Sequence, residues 1–200
     1  MKVAKKSDTF VKVIGDKLYY KKKAYTLETV HTSDIDVESI AVKDDGKTVA
    51  FCSRFHPLSN MYPERIVVDG KSYASTEHYY QYEKCKQEGR DDIAALVKLA
   101  EDPESAMAVG GRVKMSEEWC KTNGKKIMKK AAKEKFRTPR LKKKLLNTGD
   151  KKIVEATRNK TWACGLSFND KSILDSNYYT GENLMGEILC EIREELRAET

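Results

Sequence analysis

The sequence is poor in the residues that build closed metal or disulfide sites. Its five cysteines stand alone at positions 52, 85, 120, 164 and 190, with no C-x-x-C pair among them. Such an odd, scattered set argues against a disulfide framework or a cysteine zinc site and points to a reducing compartment. Three histidines (His31, His56 and His78) are too few for a dedicated histidine metal cluster, so no metal is expected. Long apolar runs are missing as well: nothing approaches the roughly 20 residues of a membrane span, and no membrane partner is expected. The start, Met1-Lys2-Val3-Ala4-Lys5-Lys6, leads into no apolar core of a secretion signal. The expected location is intracellular, cytoplasmic or nuclear. Also absent are G-x-G-x-x-G, the P-loop, G-x-S-x-G and H-E-x-x-H, which removes support for those nucleotide-binding and hydrolase classes. No cofactor is expected.

Charge, by contrast, is abundant and unevenly placed. Charged residues make up 34% of the 200 positions and hydrophobic residues 40%, enough for one core beneath a charged surface. The net charge of +7 divides into two opposed parts. Residues 121–160 hold 16 basic and three acidic groups (Glu134, Asp150, Glu155), a balance of +13, while the rest of the chain stands at −6. A basic block of this kind is the electrostatic footprint of a polyanion partner; equally, it is what a solvated lysine-rich helix face looks like.

Local patterns give the order of elements. Thr9–Ile14 and Lys17–Tyr20 flank Gly15-Asp16, Val37–Val42 and Thr48–Cys52 flank Asp44–Lys47, and Ile66–Val68 and Lys71–Tyr73 flank Asp69-Gly70. All three read as hairpins. Ser75-Thr76-Glu77 is a helix start, with the helix running to about Gln87 and stopping near Gly89. A second helix, 91–101, is expected to bury Ile93, Leu96, Val97 and Ala100, and a short one follows over 103–109. Residues 116–136 are helical in pattern, with Asn123-Gly124 as a candidate break. Pro139 opens another helix ending at Thr148-Gly149, and Ile153–Ala156 reads as a short strand. Leu184, Met185, Ile188, Leu189, Ile192 and Leu196 form one apolar stripe on a terminal helix. The expected fold is α+β: a compact, mainly helical domain over 50–200 with small β elements and a β-rich N-terminal extension over 1–49.

One feature carries chemistry. At 100° per residue, Glu77, Gln81 and Lys84 fall within about 60° of arc, so a carboxylate, an amide and an amine share one helix face. On an isolated helix such a stripe is ordinary surface: Glu77 complements the dipole and Lys84 is solvated.

The surroundings of the stripe give it a family. The segments, in chain order, are F-x-P-L-S-N-x-Y-P at Phe55–Pro63, D-G-x-x-Y at Asp69–Tyr73, and S-x-E-H-x-x-Q-x-x-K at Ser75–Lys84. Then come Gly111-Arg112, Trp119, Lys135-Phe136, Leu145-Leu146-x-Thr148-Gly149, W-x-x-G at Trp162–Gly165 and G-x-N-x-x-G at Gly181–Gly186. Together they resemble the NADAR family, the NAD- and ADP-ribose-associated, YbiA-like proteins, over residues 50 to 197. The resemblance implies hydrolysis of an N-glycosidic bond on a phosphate-bearing ribose. One branch of the family removes ADP-ribose from guanine in nucleic acid; another cleaves phosphorylated riboflavin-pathway intermediates.

Under that resemblance Glu77 stabilises an oxocarbenium-like transition state and manages protons. Lys84 holds a phosphate or ribose hydroxyl, or attacks the anomeric carbon to form a Schiff base. Gln81, Asn60 and Asn183 are expected to bind substrate, the two asparagines by gripping hydroxyls or phosphates. Arg112 either binds a diphosphate or makes a surface ion pair. Trp162 is expected to stack on the base; Trp119 either does the same or fills the core. The sequence departs from the family in one place. Where bacterial members tend to carry an acid within W-G-x-G, it reads Trp162-Ala163-Cys164-Gly165, leaving Asp170 or Asp175 as replacements and Cys164 as packing. Three functions are in play: removal of ADP-ribose from guanine in nucleic acid bound through the basic segment 121–160, N-glycosidic cleavage of riboflavin intermediates, and a non-catalytic ADP-ribose-binding module.

Overall fold

The computed structural model describes residues 11–14, 17–20, 23–26 and 41–199. Its contacts divide the chain into Met1–Ile40 and Ala41–Thr200. In the first unit β1 (Val11–Ile14), β2 (Lys17–Tyr20) and β3 (Lys23–Thr26) form an antiparallel meander, with Val11 opposite Tyr20 and Lys17 opposite Thr26. The expected β1–β2 turn at Gly15-Asp16, Thr9-Phe10 and the strand start at Val37 lie outside the described residues.

The second unit begins with β4 (Val42–Asp44) and β5 (Thr48–Phe51), an antiparallel pair turned at Gly46, whose φ of 88° suits glycine. The 49/50 boundary expected from the sequence falls inside β5. β5 pairs in parallel with β8 (Lys152–Glu155), about 100 positions on. The hairpin β6 (Ile66–Val68)–β7 (Lys71–Tyr73) turns at Asp69-Gly70, both with positive φ, as a two-residue Asp-Gly turn requires.

Helices build the rest. α1 (Thr76–Gln87) is capped by Ser75, whose hydroxyl accepts from the His78 amide. α2 (Asp91–Leu99) buries Ile93, Ala94 and Val97. Leu96, expected in the core, is exposed, and the helix stops before Ala100. α3 (Pro103–Gly110) starts with Asp102 accepting from the Ser105 amide at 2.7 Å. Asn123-Gly124 does not break the next helix. α4 (Glu117–Trp119), a π-turn (Cys120–Gly124) and α5 (Lys125–Lys135) run on as one helical course, with helical dihedrals at each junction. α6 (Pro139–Leu146) and α7 (Leu184–Ala198) follow. The stripe on α7 is buried as its periodicity requires, against Ile127, Met128 and Ala131 of α5, Leu141 and Leu145 of α6, and Ile153 of β8.

Much of the basic segment is neutralised inside the molecule. α5 and α7 run side by side in the same direction, and their lysines and glutamates interlock: Lys125 with Glu187 and Glu191, Lys129 with Glu191 and Glu195, Lys133 with Glu195 and Glu199. Lys121, Lys130, Arg137, Arg140 and Lys151 pair with Glu182, Asp69, Glu134, Glu64 and Asp44. Each such exposed pair contributes little alone, but shared partners make a ladder. Replacing Glu191 by Gln, which removes the rung between Lys125 and Lys129, is expected to cost about 0.5–1 kcal/mol at low ionic strength. The cost should shrink toward zero near ~1 M salt, where screening acts within about 3 Å; chemical denaturation of wild type and variant in urea at both salts checks this.

Candidate active site

The inward face of α1 is polar, which is unusual for a helix packed on three sides. Glu77, in its first turn, is 3% exposed. Its Oε1 accepts from Gln81 Nε2 at 2.7 Å and its Oε2 from Asn60 Nδ2. Asn60 arrives on the Phe55–Pro63 loop, and its own carbonyl accepts from the Glu77 amide at 3.2 Å, so loop and helix start are joined twice. Burial pushes the Glu77 carboxyl above the usual carboxylate range, opposed by the two amide donors and by Lys84. Lys84, two turns along the same face, is also buried, and desolvation holds its proton affinity below that of a free lysine, against the pull of Cys85 and Glu77. The stripe read from the sequence is therefore an interior one.

The structure adds a second carboxyl that the sequence reading missed. Glu155 ends β8 on the same strand face as the fully buried Ile153, and it is only partly accessible. Burial, and then the charge of Glu77, push its carboxyl up to about 8, while Lys135 works in the opposite direction. Lys135 is itself buried, donates to the Ser59 carbonyl at 2.6 Å, and is pushed down to about 7 by desolvation. It thus ties α5 to the loop that carries Asn60. A signal for Glu155 was present: a carboxylate two residues after a buried isoleucine in a strand must point the same way.

The replacements expected for the missing W-G-x-G acid do other work. Asp170 accepts from the Ser172 amide at 2.8 Å, and Asp175 from the Asn177 amide at 3.0 Å, so both cap local turns. Glu155 is the acid on which the charge of Glu77 bears. Cys164 is buried, its thiol donating to the Leu166 carbonyl, in keeping with packing.

Aromatic rings cluster on the same side of α1 as Glu77. Tyr80, on the same face of α1, lies between Trp162 (centroids 5.2 Å apart, 79° between planes) and Trp119 (6.3 Å, 58°). Both tryptophans are half-buried. The π-turn sets Trp119: a Cβ on Gly124 would stand 3.0 Å from the ring's Cζ3. Gly110, at the end of α3, packs against the Gln81 amide with no room for a side chain. Gln81 Oε1 is buried and, among the described residues, has no hydrogen-bond partner. Arg112, two residues past Gly110, is exposed. Asn183 is the exception among the expected substrate binders. Both ends of its amide are occupied by the backbone of β8: Nδ2 donates to the Ile153 carbonyl and Oδ1 accepts from the Glu155 amide, each at 2.9 Å.

The chain has counterparts among known proteins. The model of the NADAR domain matches residues 42–197. The chain belongs to the NADAR family. Within this family, it is 31% identical to an N-glycosidase of Nostoc punctiforme over 75% of this chain and 93% of that protein. It is 31% identical to the N-glycosidase YbiA of Escherichia coli, over 71% of this chain and 82% of YbiA. Protein irg-1 of Caenorhabditis elegans is 31% identical over 62% of the chain, and the match spans only 61% of irg-1's own length. The solved NMR structure of Escherichia coli YbiA superposes with a TM-score of 0.60 at 27% identity, covering 81% of this chain and 92% of that one. The NADAR match takes in β4 and β5, ahead of the segments from which the resemblance was read.

Trp119 offers a test of this geometry that needs no substrate. Gly124→Ala is expected to displace its ring by a few tenths of an ångström and shift the fluorescence emission of Trp119, measured on a Trp162→Phe background. An unchanged spectrum would mean that the π-turn does not set the ring.

Proposed function

We propose that this NADAR domain is an N-glycosidase that hydrolyses the bond between a ribose anomeric carbon and a base nitrogen. The observation that carries the reading is the pair of inward carboxyls in unequal surroundings. Two groups whose environments hold their protons differently divide the acid and base roles between them. Glu77, with an amide donor on each oxygen, is suited to being the anion. It stabilises positive charge as the glycosidic bond stretches and accepts a proton from the attacking water. Glu155, desolvated by burial and with Glu77's charge acting on it, keeps its proton and delivers it to the departing base nitrogen. Water then adds to the anomeric carbon, and the products are free base and free sugar. Trp162 and Trp119 supply flat faces for the base. Lys84 and Arg112 are available to phosphate and hydroxyls of the ribose moiety. The names of the Nostoc and Escherichia coli relatives support the same chemistry.

For the substrate, the leading reading is guanine-linked ADP-ribose in nucleic acid, supported by the family and by the exposed lysines Lys126 and Lys143, outside the α5–α7 ladder. The second reading, a phosphorylated riboflavin-pathway intermediate, gains from two observations. A 32% identical relative from Vibrio vulnificus is named a riboflavin biosynthesis protein, the match covering 70% of this chain and 35% of that protein. The ladder also consumes charge that would otherwise attract a polyanion.

Incubation with a guanine-ADP-ribosylated oligonucleotide and, separately, with the riboflavin-pathway sugar phosphate distinguishes these readings by release of ADP-ribose or free base. Turnover of the oligonucleotide is expected, reduced about 10²–10⁴-fold by Glu77→Gln and by Glu155→Gln. A general acid works only while protonated. With Glu155 near 8, kcat/KM should hold steady just below that pH and fall about tenfold per unit above it. Turnover of the sugar phosphate alone would replace the first substrate by the second. Saturable ADP-ribose binding with neither substrate turned over would replace the enzyme by a binding module.

A further inference from the structure

In the segment G-x-N-x-x-G at the start of α7, the Asn183 amide has no free end to offer a ligand, and both glycines are closely packed. Asn183 adopts a left-handed conformation (φ 58°, ψ 40°), uncommon outside glycine. That backbone turns its amide against the open edge of β8. Along β8 the amides of Lys152 and Ala156 bond toward the β5 side, to the carbonyls of Lys47 and Phe51. Those of Ile153 and Glu155 alternate to the outer edge. On that edge Asn183 takes the place of a neighbouring strand, giving a donor to the Ile153 carbonyl and an acceptor to the Glu155 amide. The Glu155 carbonyl accepts from the Cys164 amide at 3.0 Å, so both backbone polar groups of Glu155 are held. The flanking glycines make room for this. A Cβ on Gly186 would collide with the Ile153 carbonyl and the Asn183 amide, and one on Gly181 with the Ala163 carbonyl.

We infer that Asn183 is a positioning residue: its amide fixes the end of β8 and with it the place of the Glu155 side chain, within reach of the Glu77 charge. The role in turnover rests on the N-glycosidase reading; the control over Glu155 does not. Asn183 brings no charge of its own. The groups whose charge bears on Glu155 come from other elements, Glu77 from α1 and Lys135 from α5; the neighbouring thiols of Cys52, after β5, and Cys164, beyond β8, are themselves pushed up, chiefly by burial, and stay neutral there. Loosening the clamp lets the strand end move away from Glu77 and admits water. Both changes favour ionisation, so the Glu155 midpoint moves down.

The experiment is an NMR titration of the Glu155 side-chain carboxyl, ¹³C-labelled and assigned by loss of the signal in Glu155→Gln. It is run on wild type, Asn183→Gly and Asn183→Ala. Both variants delete the same two hydrogen bonds, but Gly accepts φ 58° freely and Ala does not, so their stabilities differ. Expected is a midpoint lowered by about one pH unit or more, and by the same amount in both variants. With the guanine-ADP-ribosylated oligonucleotide as substrate, kcat should fall while KM stays within about twofold, and the alkaline limb should shift down by the same interval. An unmoved midpoint in a folded Asn183→Gly protein, or shifts that follow melting temperature instead of the shared deletion, would overturn the inference. A lowered midpoint in a protein that turns over no substrate would leave Asn183's control of Glu155 standing and remove the N-glycosidase reading instead.

Discussion

A carboxylate taken out of water forfeits several kcal/mol of hydration, and only fixed donors or a retained proton can offset the loss. Glu77 is in that position at the first turn of α1, and much of the second unit answers to it. The Phe55–Pro63 loop returns to place Asn60 on one oxygen, while Gln81 covers the other from one turn further along. Gly110 exists as a glycine because α3 must close over that glutamine. Lys135 crosses from α5 to hold the loop by the Ser59 carbonyl. Hydrophobic burial keeps the helices together; the satisfaction of one acid fixes the loop and the end of α3 that close around it.

The second acid is handled in the opposite way. Burial first, and then the charge of Glu77, retain the proton of Glu155, and among the described residues no pair of amide donors offsets them. Holding it there takes a strand pinned on both edges, by β5 on one side and by Asn183 with the Cys164 amide on the other. Both carboxyls are costly to fold around, which is the usual relation between a working site and the stability of its scaffold.

Local rules reached far into this fold. The Asp69-Gly70 hairpin, the helix start at Ser75-Thr76-Glu77 and the apolar stripe of α7 each follow from interactions within a few residues, and each appears where the pattern put it. Leu96 failed because helical periodicity says which residues share a face but not how far a neighbouring helix extends to cover it. Asn123-Gly124 failed as a break because the π-turn absorbs the extra residue. The site divided along the same line. Glu77, Gln81 and Lys84 were legible as a stripe because they share one helix. Glu155 and the clamp on it depend on β8 pairing with β5 and with residues near 183, contacts that no local pattern encodes. The +13 segment was misleading as a sum, since its lysines sit beside α7's glutamates in space while lying some 60 positions away in sequence.

The opposition of the two carboxyls is tested most directly by the carboxyl resonance of Glu155 in the wild-type protein and in Glu77→Gln. In the wild type it should titrate near 8, and removing the negative charge opposite should lower that midpoint, with the backbone amide spectrum elsewhere unchanged. A Glu155 carboxyl that titrates in the ordinary carboxylate range, or one indifferent to the charge at position 77, would contradict the division of acid and base between them.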